Sequence, residues 1–194
     1  MKKGLLGGLL LALTSSTALG QSLDKPRQTF HVERSFPVSA DVLWDTAIVD
    51  FGGIANFHPR ILASDYLEGS LTGELGAERY CNFDESGEQV IHEKIVAFDP
   101  EQHTLSVRIF QTDGVPLDIE NTIIHTRIIP EGPDRSRFVM DMEYRTAPAF
   151  LGGFVKGSLR RDTQDYLIAL EHHLRTGESV TVENFAIIRK GYKR

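Results

Sequence analysis

The sequence predicts an α+β domain with a curved antiparallel sheet of about seven strands, one long C-terminal helix and two short helices after the first strand. Two observations lead to this fold class. Short alternating segments are separated by turn residues every 10–15 positions, which is typical of an antiparallel meander rather than of β-α-β units. A long segment near the C-terminus instead repeats its apolar residues at helical spacing.

The first strand and the two short helices lie at the start of the domain. Gln28–Phe36 alternates well enough for a strand. Ser39 is a good N-cap for a helix over residues 40–49, and the sequence DFGG at 50–53 breaks that helix. A second short helix or turn is predicted over residues 54–58.

Six further strands follow the two short helices. We predict them over residues 62–67, 77–83, 89–98, 104–111, 121–129 and 137–146. The last strand alternates most clearly, because the apolar side chains between Phe138 and Tyr144 share one face. That face needs a cover, and a helix over residues 150–175, ended by Gly177, can supply it.

The first twenty residues have the pattern of a secretory signal peptide. Lys2 and Lys3 precede a nine-residue apolar run from Leu5 to Leu13, and an A-x-G cleavage site ends at Gly20. The run is far shorter than the roughly 20 residues of a membrane-spanning helix. We therefore predict cleavage after Gly20, a periplasmic or secreted location and no stable membrane insertion after signal removal. An uncleaved membrane anchor is the alternative.

The rest of the chain is predicted to form a single domain over residues 25–178, because no Ser/Gly linker or charge block divides it. Residues 179–194 form a tail that mixes apolar and basic residues. The sequence leaves two forms open for this tail, an added edge strand or a disordered basic end.

Composition and motifs exclude several classes of function. The 194 residues have a formal net charge of −6, and removal of the signal segment with its two lysines makes it −8. We expect no nucleic-acid binding, because phosphate recognition requires a basic surface. Cys81 is the one cysteine, so no intrachain disulfide can form, and we expect it to be buried. The sequence has no metal-binding or nucleotide-binding motif, and His172 and His173 diverge on a helix, so we expect no metal or other cofactor.

Local motifs, in order along the chain, resemble those of the START/SRPBCC superfamily. They are VSADVLW at 38–44, DFGGIANFHP at 50–59, GAER at 76–79, HEKI at 92–95 and VPLDIEN at 115–121. The resemblance covers about residues 28–176 and implies the helix-grip fold of polyketide cyclase/dehydrase-like proteins and birch-pollen-type ligand carriers. The most similar subgroup is the exported MxaD type of methanol-oxidation accessory protein, although Phe57 stands where that subgroup usually has Trp.

The helix-grip fold implies a cavity between the sheet and the long helix. The predicted ligand-binding residues are Trp44, Phe57, His58, Arg79, Cys81, Glu93, Val107, Met140, Met142, Tyr144, Phe154 and Ser158. The alternative is a closed core that the same residues form without a ligand. We assign no catalytic residue, and His58 and Glu93 are the candidates for acid–base chemistry.

Arg79 and Glu93 lie on neighbouring predicted strands, and both can point inward. Buried charges need partners, so the two side chains are expected to pair. The pair can orient a carboxylate or carbonyl of a ligand, or it can be a purely structural salt bridge.

The sequence leads us to predict the first of three functions, and the other two are alternatives. The first is an exported protein that binds a small hydrophobic, lipid-like or polyketide-like molecule without catalysis. The second is a cyclase-like or dehydratase-like enzyme that uses polar groups in the cavity. The third, implied by the resemblance alone, is a periplasmic accessory protein that acts on a redox enzyme such as an alcohol dehydrogenase. The expected partners are accordingly a small apolar ligand and, in the third case, a periplasmic protein.

Overall fold

The structure, a computed structural model, describes residues 27–193. The predicted signal peptide, with its cleavage site, lies outside the described residues. Along the described chain the elements are β1 (Gln28–Phe36), α1 (Ala40–Trp44), β2 (Ala63–Tyr66), β3 (Glu78–Asn82), β4 (Val90–Asp99), β5 (Thr104–Asp113), β6 (Ile123–Gly132), β7 (Arg135–Tyr144), α2 (Gly152–Thr176) and α3 (Val182–Ile188).

The seven strands form one antiparallel sheet in the order β1-β7-β6-β5-β4-β3-β2. Consecutive strands are neighbours except at β1, which pairs with β7. The register of β4 against β5 shifts twice, between His92 and Glu93 and between Ile95 and Ala97. Such bulges bend a sheet locally. The α+β helix-grip fold class is therefore confirmed, with α2 packed against the inner face.

The segment between β1 and β2 differs in detail from its predicted helices. Ser39 caps α1 as expected, and its hydroxyl accepts a hydrogen bond from the Val42 backbone N–H at 3.3 Å. The α-helix ends at Trp44, however, and continues as a π-helical turn over Asp45–Val49. The second helix is a 3₁₀ helix at Phe51–Asn56 and begins earlier than predicted.

Gly52 is required at the start of this 3₁₀ helix by its contact with β2. A Cβ atom at Gly52 would lie 2.6 Å from the ring of Tyr66, so any larger residue would displace that ring. The Ser64 hydroxyl of the same strand donates to the Gly52 carbonyl at 2.6 Å and accepts from the Ala55 N–H. These contacts hold the segment that leads to His58 against the sheet edge.

Helix α2 has two unlike halves. Its C-terminal half is buried from Tyr166 to Glu171 on the sheet, whereas most of its N-terminal half is exposed or half-buried. The first turn is fixed by Tyr144, whose hydroxyl donates to the Gly152 carbonyl at 2.6 Å. The helix ends as predicted at Gly177, which has a φ of 73° that favours glycine.

The C-terminal tail is a helix, in contrast to the two forms that the sequence suggested. Thr181 and Asn184 form a capping box at the start of α3. Before this helix, the fully buried Val180 donates its backbone N–H to the Asn56 carbonyl at 2.9 Å. After it, Arg189 pairs with Asp165 of α2 at 2.9 Å. In the sequence, only the capping residue Thr181 indicated a helix here. One capping residue does not distinguish a helix from an irregular C-terminal segment.

None of the helices in residues 27–193 is both long enough and apolar enough to cross a membrane.

Candidate functional site

A cavity of about 150 Å³ lies between the inner face of the sheet and α2. Its wall is formed mainly by apolar side chains from the 47–61 segment, from strands β3 to β7 and from α2. The polar exceptions are His58, Arg79, Glu93, Thr126, Thr163 and Tyr166. A cavity of this size with apolar walls accommodates about one benzene-sized molecule. Typical ligand pockets measure roughly 300–1,000 Å³, so only a small molecule fits this space.

Half of the predicted ligand-binding set lies in this wall. The members that the structure brings together there are His58, Arg79, Glu93, Val107, Met140 and Met142. Alternation along the strands correctly indicated which side chains of β3, β4, β5 and β7 point inward.

Two predicted residues on α2 lie outside the cavity. Phe154 is 84% exposed and lies on the outer side of α2, whereas Val155 and Leu159 of the same turns pack against the core. Ser158 is half-buried, and its hydroxyl donates to the Val155 carbonyl of its own helix. Helical periodicity did not decide which of the adjacent apolar residues Phe154 and Val155 faces the core.

The remaining predicted residues are buried in the surrounding core rather than in the wall. Trp44 packs against Phe98 and the ring of His103, with ring centroids 5.3 and 5.4 Å apart. Phe57 lies below the surface against Tyr166 and His173. Tyr144 and Cys81 are fully buried, with Tyr144 bound to the start of α2 and Cys81 behind the ion pair described next.

Arg79 and Glu93 form a buried ion pair in the cavity wall, directly opposite each other on β3 and β4. The Arg79 Nε donates to Glu93 Oε2 at 2.7 Å, and its NH2 group lies 2.6 Å from the same oxygen. The NH1 group donates to the Phe51 carbonyl at 2.7 Å, and the guanidinium carbon lies 3.9 Å from the centre of the Phe51 ring. Burial acts to lower the pKa of Arg79, but the adjacent Glu93 carboxylate together with Cys81 and Tyr166 outweighs burial and raises that pKa above its ordinary value.

The contacts of Glu93 are concentrated on one of its two oxygens. Besides Arg79, the Cys81 thiol lies 3.6 Å from Oε2, and burial raises the pKa of that thiol well above its ordinary value. No residue between 27 and 193 donates a hydrogen bond to Glu93 Oε1. One carboxylate oxygen in the wall is therefore available as a hydrogen-bond acceptor.

His58 and Tyr166 stack on each other in the same wall, with ring centroids 5.2 Å apart and an interplanar angle of 25°. Burial, and after it the positive charges of Arg79 and Arg60, lower the pKa of His58 to about 3. Its Nδ1 accepts the Arg60 backbone N–H at 3.2 Å, so the neutral ring carries its proton on Nε2. Burial raises the pKa of Tyr166, whose phenol also interacts electrostatically with Arg79 and Glu93.

Sequence reasoning missed Tyr166, Phe51 and Thr126 as parts of the site. Tyr166 occupied an apolar helical position and could not be distinguished from a core aromatic residue. Phe51 was assigned to a helix break, although its ring and carbonyl both contact Arg79. Thr126 faces inward on β6 but gave no signal, because threonine is common in strands.

The two adjacent histidines of α2 are engaged in contacts with the tail. His172 lies 3.0 Å from the Tyr192 hydroxyl, and His173 lies 2.9 Å from the Glu178 carbonyl. Among residues 27–193, no group of three His, Cys, Asp or Glu side chains is placed to hold a metal ion.

The sheet, the long helix and the cavity between them define a helix-grip protein of the START/SRPBCC superfamily. Within it, the chain belongs to the family described as polyketide cyclase / dehydrase and lipid transport, whose profile matches residues 27–175. A comparison with curated proteins gives no match.

Solved structures of low sequence identity share the fold. Norcoclaurine synthase from Thalictrum flavum, in complex with dopamine and hydroxybenzaldehyde, is 15% identical with a TM-score of 0.58, covering 91% of this chain and 98% of that one. The protein XoxI from Bacillus cereus is 16% identical with a TM-score of 0.58, covering 76% and 96%. Ara h 8.0201 is 21% identical with a TM-score of 0.62, covering 77% and 99%.

Proposed function

We propose that this protein is an exported binding protein for a small, neutral, largely apolar molecule about the size of one ring. The observation that carries the proposal is the 150 Å³ apolar cavity with one unpartnered carboxylate oxygen in its wall. The family description, which includes lipid transport, agrees with ligand binding in general. The size of the cavity favours a smaller molecule than a lipid or a polyketide.

The charge balance of the wall supports a neutral ligand. Arg79 and Glu93 compensate each other, so a ligand carboxylate would add an unpaired third charge in a buried site. Glu93 Oε1 instead accepts a hydrogen bond, which favours a hydroxyl-bearing or N–H-bearing ring. This argues against a carboxylate as the ligand group that the Arg79–Glu93 pair orients, and it leaves the other two sequence-based alternatives, a ligand carbonyl or a purely structural salt bridge.

Binding can be tested with phenol, toluene and benzoate, followed by chemical-shift changes in NMR spectra of the purified protein. We expect phenol to bind more tightly than toluene, and benzoate to bind at least tenfold more weakly than phenol. Val107→Phe fills the cavity and should weaken phenol binding at least tenfold, whereas Val96→Phe, on a half-exposed position of β4, should not. Equal affinities for phenol and benzoate, or an unchanged affinity in Val107→Phe, would contradict the proposal.

A second candidate function is proton transfer next to a carbonyl group, favoured by the proximity of His58, Tyr166 and the Arg79–Glu93 pair. With a pKa of about 3 and its proton on Nε2, His58 acts as a hydrogen-bond donor rather than as a base. Glu93 Oε1 is then the group that removes a proton from the α-carbon, while His58 or Tyr166 stabilises the enolate oxygen. In this assignment Glu93 stays a candidate for acid–base chemistry, whereas His58 becomes a hydrogen-bond donor to the enolate oxygen.

Exchange of the α-protons of acetophenone in D₂O tests the catalytic candidate. The wild type should accelerate exchange above the buffer rate, and Glu93→Gln should remove the acceleration. Exchange at the buffer rate in the wild type would leave binding alone as the function of the site.

Export can be tested by measuring the mass of the protein recovered outside the cytoplasm. That mass should correspond to a chain that begins at Gln21. Recovery only from the cytoplasm, at the mass of the full chain, would contradict export. The accessory role towards a redox enzyme stays a prediction. A pull-down at low ionic strength tests it, because the acidic mature chain would attract a basic partner most strongly there.

A further inference from the structure

Two phenylalanines are exposed at the start of α2, Phe150 in the 3₁₀ turn just before the helix and Phe154 in its first turn. Phe150 is 71% exposed and Phe154 is 84% exposed, and their spacing of four residues places them on adjacent turns. Phe154 was expected inside the cavity, so its exposure is not explained by the proposed ligand site.

The exposed charged residues from Phe150 to Arg161 are all basic, and the next residue, Asp162, is paired with Arg60 at 2.8 Å. Residues 149–161 include Lys156, Arg160 and Arg161, all exposed, and no acidic residue, although the whole chain has a net charge of −6. No ion pair involves these three side chains within residues 27–193. The patch formed by Phe150, Phe154 and these three basic residues is called the α2 patch below.

Two carboxylates lie near the edge of the α2 patch, in a shallow depression that they share with Lys156 and Arg160. Both have partners of their own on the sheet. Asp141 is bound to His31 at 2.8 Å and lies 3.4 Å from Arg127, and Glu143 lies 3.3 Å from Arg27. The basic side chains of the patch are therefore not neutralised by specific contacts.

Exposed glycines keep the backbone of the patch accessible. A Cβ atom at Gly153 would meet no atom within 4 Å, and one at Gly157 would meet only the end of the Arg161 side chain at 3.7 Å. Packing inside the protein thus does not require either glycine. Because these two glycines have no side chains, the helix backbone can approach a flat surface closely.

We propose that the α2 patch docks this protein onto the surface of a bilayer that contains anionic phospholipid. Phe150 and Phe154 insert at the boundary of headgroups and acyl chains, while the basic side chains bind lipid phosphates. A second copy of the chain is a poorer partner, because a two-fold contact through this patch would bring like charges together. Each basic residue near an anionic membrane surface strengthens binding by roughly fivefold.

Co-sedimentation of the purified protein with lipid vesicles tests this proposal. We expect binding to phosphatidylcholine vesicles that contain phosphatidylglycerol, weakening as salt is raised, and at least tenfold weaker binding to phosphatidylcholine alone. Phe150→Ser with Phe154→Ser should reduce binding at least tenfold, and so should Lys156→Glu with Arg160→Glu. Ile187→Ser is the matched control, because Ile187 is 73% exposed on α3 outside the patch, and it should bind as the wild type does.

Two results would overturn the proposal. One is equal binding of the wild type and the paired Phe variant to the anionic vesicles, or no binding by either. The other is a concentration-dependent dimer in solution that the paired Phe variant abolishes, which would assign the patch to self-association. Phenol binding should be unchanged in all these variants, so failure here is distinguishable from failure of the cavity proposal.

Discussion

Replacing Arg79 with methionine should lower the free energy of unfolding by about 3–5 kcal/mol, the range for breaking one side of a buried ion pair. Glu93 would remain buried, having lost the two guanidinium nitrogens that contact its Oε2 atom. The Phe51 carbonyl would also lose its donor, and the aromatic ring its cation. Chemical denaturation of the variant and the wild type measures this difference.

Two further variants separate the ion pair from a general loss of side-chain contacts. Arg79→Met combined with Glu93→Gln should recover part of the lost stability, because no charge is then left unpaired. Lys94→Met removes a comparable but partly exposed pair with Glu78 and should cost about 1 kcal/mol or less. A cost below 1 kcal/mol for Arg79→Met, equal to that of the control, would contradict the role assigned to the pair.

The second large effect is on stability in acid. The folded-state pKa of His58, about 3, lies below the ordinary value of 6.5. Below pH 6.5 the unfolded chain therefore binds a proton that the folded state does not, and the free energy of unfolding falls until pH reaches about 3. Protonation in the folded state would also oppose the Arg60 N–H that points at Nδ1.

The His58→Gln variant reveals this contribution against the background of other titrating groups. Between pH 7 and pH 4 the wild type should lose about 2–3 kcal/mol more stability than this variant. His92→Gln is the control, because His92 lies on the opposite face of β4 from Glu93 and outside the cavity wall. If His58→Gln and the wild type have parallel profiles from pH 7 to pH 4, the lowered pKa of His58 is wrong.

The fold was largely predictable because its two main signals are periodic. The inward positions of β7 and the ending of α2 at Gly177 follow from spacing and from one glycine conformation. The π-helical turn after Trp44 was not predictable, because its residues are compatible with an ordinary helix. The tail helix was missed for a related reason, since seven residues have too few periods to establish a pattern.

The sequence indicated which strand side chains point inward, but not which of them line the cavity. Alternation correctly placed Arg79, Glu93 and Met140 towards the interior, but it could not distinguish the cavity wall from the packed core that contains Tyr144. Phe154 shows the opposite error, because an apolar residue at helical spacing was assumed to face the sheet. Those distinctions depend on where distant segments cross, which no local pattern encodes.

The hydrogen bond from the Val180 N–H to the Asn56 carbonyl joins two parts of the chain that are synthesised at different times. Val180 and Asn56 are more than 120 residues apart in the sequence. During synthesis, the Asn56 carbonyl therefore has no hydrogen bond from Val180 until those further residues have been added. The nascent chain therefore reaches its final stability only late in synthesis. If the chain is exported as proposed, such a delay extends the time in which the unfolded chain can begin translocation.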